Sequence, residues 1–104
     1  MAWFYLLTAG ALEVAATTMY RYTDGLSRIL PTASFFAIGI LSFYFLNRSL
    51  SGIPLGTAYA VWTGIGTVGT VIVGILVLGE PATLVRLACI GLIVAGIAGL
   101  KFVS

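Results

Sequence analysis

Glu13 is a carboxylate set deep in an apolar run, and of all the residues in this sequence it is the best placed to do chemistry. It stands ~18 Å of helix from Met1, near the middle of a bilayer. An ionised carboxylate at that depth costs roughly 2.5–3.5 kcal/mol on insertion scales, so such a group normally faces a cavity and has a function there. Removal from water favours the protonated form. A second copy of the same acid close by would make the two titrate as a unit. A carboxylate that can hold either a proton or a cation makes the two compete. Competition for one site, combined with alternating access, is sufficient for antiport. The other acids, Asp24 and Glu80, lie at the ends of apolar runs and are expected to be solvated turn or cap residues.

Helical spacing supplies the neighbours. Gly10, Glu13, Thr17 and Tyr20 share one stripe. Gly10 leaves room for a ligand or a close helix, and Thr17 can donate to the carboxylate or to its own backbone. Further along, Tyr59, Trp62, Thr63 and Gly66 form a second stripe. Aromatic faces attract cations, tryptophan most strongly, and a tyrosine hydroxyl can orient a carboxylate. Ser42 has two partners open to it, Glu13 across helices or its own helix backbone. Gly64, Gly66 and Gly69 make an apolar helix glycine-rich and point to a kink or conformational hinge. This is no phosphate loop, because the Lys-Ser/Thr ending and the strand context are missing. Gly91, Ala95 and Gly99 recur at every fourth position, a spacing that lets two membrane helices approach closely, and are the candidate dimer contact. Arg86 and Lys101 read as snorkelling interfacial residues, and Cys89 as a small apolar filler.

These residues need elements to hold them, and composition says which kind. The chain is 61% hydrophobic and 8% charged over 104 residues, against about 25% charged in a soluble domain. That excludes a cytosolic globular enzyme and a disordered chain. With no His and a single Cys, metal clusters, Cys-His nucleophiles and intrachain disulfides are excluded as well, and no cofactor is called for. A net charge of +2 without a clustered basic face does not fit a nucleic-acid binder. A membrane enzyme using Glu13 as acid or base would lack any second catalytic group within reach.

Four apolar runs follow, at about 2–20, 29–50, 54–78 and 82–103. Four spans of ~20 residues need ~80 residues, so the expectation is an all-α membrane protein with four transmembrane helices in a single domain. Pro31, Pro54 and Pro81 fall at or near the expected helix starts. Trp3 and the pair Tyr20/Tyr22 bracket the first run ~26–29 Å apart, as an aromatic belt requires. Short loops imply that consecutive helices are antiparallel neighbours. Both termini and the second loop then share one side with Arg48 and Lys101, and the opposite side carries Arg21, Arg28 and Arg86. Such a small bias permits insertion in both orientations, and any residual preference puts the arginine-rich side in the cytoplasm. Alternating access commonly uses two inverted repeats. One chain of this length holds only one, and an antiparallel homodimer would supply the other.

Glu-Val at 13–14, Asp-Gly-Leu-Ser-Arg at 24–28 and the stretch Pro54-Leu-Gly-Thr-Ala-Tyr-Ala-Val-Trp-Thr-Gly-Ile-Gly66 resemble the small multidrug resistance family over the whole chain. The resemblance implies a proton-coupled exporter of small organic cations in the bacterial inner membrane, working as an antiparallel dimer. Its paired Glu13 side chains would form the shared proton and substrate site, lined by Tyr59 and Trp62. The second half is similar to the guanidinium-exporting branch, through Trp62-Thr63-Gly64-Ile65-Gly66, Gly79-Glu80, Arg86-Leu87, Gly99-Leu100-Lys101 and Ser42. The run Glu13-Val-Ala-Ala-Thr-Thr18 is instead similar to the branch that exports quaternary ammonium and aromatic cations. In that branch a small residue, here Ala16, and Thr17 face the site. A roomier pocket and broad selectivity are therefore expected. A selective guanidinium exporter, or one half of a heterodimeric pair, is the alternative.

Overall fold

A computed structural model describes residues 1–103. It contains four helices, α1 (Ala2–Arg21), α2 (Ile29–Ser49), α3 (Leu55–Leu76) and α4 (Leu84–Val103). They start and stop within about two residues of the expected runs, because turn chemistry interrupts the apolar sequence where expected. α2, α3 and α4 are each long and apolar enough to cross a membrane. α1 has the length but falls short in apolarity, since it carries Glu13, three threonines and an arginine along with its aromatic residues.

The order of packing departs from the simple picture of consecutive neighbours. α1 sits in the centre with α2 and α3 on either side, α2 and α3 barely meet, and α4 packs along α3. α1 can take this place because it turns small residues toward its neighbours: Ala9, Gly10 and Ala16 are all buried. Small residues let helix backbones close in, which is how helices associate in lipid. Leu6, Ala9, Leu46, Ile53, Ala58 and Val61 form a packed core, near the end that holds the N-terminus and the second loop. At that end the Arg48 guanidinium lies 5.2 Å from the Tyr5 ring centre and the Lys101 ammonium 5.2 Å from that of Trp3. Arg48 and Lys101 therefore share the end of the bundle at which α1 begins, as an even number of antiparallel spans implies.

The first connection is a tight turn. Asp24, Gly25 and Leu26 have φ of +50°, +71° and +70°, a left-handed run that costs a non-glycine residue about 1–2 kcal/mol. Local hydrogen bonds offset that cost. The buried Thr23 hydroxyl donates to the Tyr20 carbonyl (2.7 Å) and accepts from the Leu26 N–H (3.2 Å), while the Ser27 hydroxyl donates to the Asp24 carbonyl (2.7 Å). At the third connection Thr83 caps α4 by accepting the Arg86 N–H at 3.2 Å. Arg86 is not a free snorkelling residue. Its guanidinium donates to Glu80 (3.1 Å) and to the Pro81 carbonyl (2.8 Å). Glu80, expected to be merely solvated, is thus half of an ion pair, although an exposed pair of this kind is worth only about 0–1 kcal/mol.

α3 is helical without interruption from Leu55 to Leu76, and its glycines accept neighbours. A Cβ at Gly64 would stand 2.7 Å from Ile97 of α4, one at Gly66 would stand 2.7 Å from Cγ of Glu13, and one at Gly69 would run into Val14. On α4, Ile90, Ile93, Ile97 and Leu100 are its more buried residues, whereas Gly91, Ala95 and Gly99 are exposed. Beyond α4's own adjacent residues and backbone, nothing among the described residues lies within 4 Å of a Cβ built at Gly91 or Gly99. Cys89 is exposed on the same helix and fills no core space.

Candidate functional site

Glu13 is half-buried on α1 and opens into a cavity of about 350 Å³ between α1 and α3. The 3.6-residue repeat positions the groups around it. Thr17 lies one turn beyond Glu13, and its hydroxyl donates to a carboxylate oxygen at 3.2 Å. Of the two partners open to Thr17, the carboxylate is the one taken. From α3 the stripe Tyr59, Trp62, Thr63 and Gly66 lines the opposite wall. Gly66 is what lets that wall close on the Glu13 stem, since any larger residue would meet Cγ.

The two rings form a continuous aromatic face. Tyr59 and Trp62 lie 5.8 Å apart between ring centres, and Phe43 of α2 meets Trp62 edge-on at 5.7 Å. Tyr59 is 57% exposed, so its ring is open to the surroundings rather than spent on packing. One carboxylate, two aromatic faces and threonine hydroxyls make a site suited to a small organic cation: Coulomb attraction and N–H donation at Glu13, cation–π attraction at the rings.

Ser42 has neither of the partners expected of it. It is fully buried and bridges three helices, donating to the Ala9 carbonyl of α1 at 2.6 Å and accepting the Trp62 indole N–H at 3.0 Å. Its effect on the cavity therefore runs through Trp62, whose plane it fixes. In Ser42→Ala the indole N–H loses its acceptor, and about 1 kcal/mol of stability should go with one part-buried hydrogen bond. We expect a lower melting temperature in detergent and, with Trp3→Phe as background, a shifted Trp62 emission and weaker cation quenching. An unchanged emission spectrum would mean that packing alone holds the ring.

Other expected lining residues lie elsewhere. Gly10 is buried under Ile65, whose Cγ2 is 2.6 Å from where a Cβ would stand, so the space is taken by a helix and not by a ligand. Ala16 is 1% exposed and does not line the cavity. Conversely Thr67, Thr70 and Val71 complete the cavity wall. The signal for Thr67 and Thr70 was already present, because they continue the α3 stripe from Thr63 at helical spacing.

Residues 1–93 match the family described as Small Multidrug Resistance protein. The chain is 52% identical over 101 residues to the guanidinium exporter of Citrobacter freundii, which covers 97% of this chain and 96% of the relative. The guanidinium exporter of Klebsiella oxytoca matches with the same identity and coverage. That of Yersinia pseudotuberculosis serotype I is 48% identical over 104 residues, the whole of both chains.

Proposed function

This chain belongs to the small multidrug resistance family, multi-pass transporters of the bacterial inner membrane and not enzymes, and from that premise we propose that it exports guanidinium-type cations in exchange for protons. The observation that carries the reading is the Glu13 cavity. Of the residues lining it, Glu13 is the one that carries a charge, and it faces the aromatic pair Tyr59 and Trp62. The ionised carboxylate takes the cation and the protonated one releases it. Proton and substrate therefore occupy the site in turn, and raising the proton concentration on one side drives the cation off there.

The guanidinium class is preferred over the broad quaternary-ammonium selectivity that residues 13–18 suggested. The case for a roomier pocket rested on a small residue at position 16 facing the site. Ala16 is instead buried away from the cavity, so its size adds no room there. The relatives at 48–52% identity carry the name guanidinium exporter. A planar guanidinium offers N–H donors to carboxylate oxygens in a two-point geometry that a tetraalkylammonium has no hydrogen to match.

The working unit is a homodimer of oppositely oriented copies. The small-residue face of α4 is uncovered, and the basic residues divide almost evenly between the two ends. A second copy brings a second Glu13 to the site. All four helices, α1 included, cross the bilayer, α1 with its polar stripe turned inward.

Currents recorded on solid-supported membranes with guanidinium, phenylguanidinium and tetrapropylammonium in parallel test the substrate class. Guanidinium should exceed tetrapropylammonium by roughly tenfold or more, the worth of a charge-assisted hydrogen bond that only the former can make. Equal currents from the two would overturn the guanidinium reading and restore broad selectivity.

A further inference from the structure

The space around Glu13 continues toward one end of the bundle. A second cavity, of about 470 Å³, lies between α1, the 22–28 turn and the α3–α4 connection, with Thr17, Thr18, Arg21, Asp24, Thr70 and Glu80 among its walls. Thr17 and Thr70 belong to both cavities. Thr17 already holds the Glu13 carboxylate. Thr18 and Thr70 each bury a hydroxyl oxygen that has no hydrogen-bond partner among the described residues. Buried polar groups are nearly always satisfied, and a polar cavity of this size holds water, which binds where two to four polar partners converge. The contrast within the molecule is plain. The crevice between α1, α3 and α4 is lined by Leu7, Ile65, Val68, Gly69, Val94 and Ile97 and offers water nothing. At the outer mouth the charged groups are Asp24, Arg21 and Glu80, the last paired with Arg86.

We propose that Thr17, Thr18 and Thr70 line a hydrated passage that carries protons between Glu13 and the end of the bundle at Asp24 and Glu80. The proposal rests on Glu13 exchanging protons, as argued above, and adds the route. Water bonded to the Thr18 and Thr70 hydroxyls links the carboxylate to bulk solvent. Thr18 is a positioning residue that holds this water without touching the substrate cavity.

Thr18→Val keeps the shape and removes the hydroxyl. In liposomes with a trapped pH dye, guanidinium-driven proton flux should fall about fivefold, the worth of one ordinary hydrogen bond. Thr18→Ser should restore it. The total number of protons released by the detergent-solubilised protein on adding guanidinium should stay unchanged, because the passage affects rate and not equilibrium. Thr18→Cys in a Cys89→Ala background should react with a charged methanethiosulfonate reagent and lose flux on reaction, whereas Val61→Cys in the packed core should not react. Undiminished flux in Thr18→Val, or a Thr18→Cys thiol that the reagent never reaches, overturns the passage. Proton release that survives Glu13→Gln overturns the exchange reading instead, and does so whether or not the Thr18→Cys thiol reacts.

Discussion

Glu13→Gln should fold and yet release no protons when guanidinium is added, and its liposomes should show no coupled exchange. The amide keeps the size and one acceptor of the carboxylate, so the α1–α3 contact through Gly66 is preserved, and Thr17 can still donate. What is lost is the charge and the titratable proton. A hydrogen bond to a charged group is worth about 1.5–3 kcal/mol, so cation affinity should fall roughly 10- to 150-fold from this change alone. Proton release should vanish altogether, since an amide does not titrate. The measurements are calorimetric binding of guanidinium, proton release followed with a pH dye, and flux in liposomes. The melting temperature serves as the folding control. Because membrane insertion penalises a charge at this depth, the variant should be no less stable than the parent. Exchange that persisted in a folded Glu13→Gln protein would remove the basis for the proposed function.

The largest effect on stability is expected at Gly10. A Cβ there would stand 2.6 Å from Cγ2 and 2.8 Å from Cβ of Ile65. The Cβ of Ile65 is fixed to the α3 backbone, so no rotamer change relieves the clash and the two helices must separate. Overpacking of this kind costs about 1–3 kcal/mol. Gly10→Ala should therefore lower the melting temperature in detergent and loosen the whole α1–α3 interface, with weaker guanidinium binding as a secondary consequence. Ile65→Ala in the same chain should recover only the part of the loss due to Cγ2 and Cδ1, because its Cβ still stands 2.8 Å away. Contacting residues couple, and a double-mutant cycle isolates that coupling. Additive losses in the double variant would show that the α1–α3 spacing is set elsewhere. Glu13 makes a useful contrast at Gly66, because there the neighbour is the flexible stem of the glutamate and can give way more cheaply than Ile65 can.

Much of this protein is legible in its sequence. The four helices follow from apolar runs separated by turn residues. Glu13 stands out because a carboxylate in an apolar run has few structural uses. Tyr59, Trp62, Thr63 and Gly66 share a cavity wall because the helical period puts them on one face, and the same period extends to Thr67 and Thr70. These features are local, and short-range geometry decides them.

The directions in which α1 turns its small residues, by contrast, belong to the tertiary structure alone. Gly10 beneath Ile65, Ala16 buried away from the cavity and Ser42 joined to Ala9 and Trp62 all depend on which helix lies alongside. So does the central place of α1 between α2 and α3. In water, an amphipathic pattern marks the inward face of a helix. In lipid the surroundings are as apolar as the core, and close packing of small residues selects the interface instead. Ala, Gly and Leu occur on every side of these helices, and only the assembled bundle distinguishes one side from another.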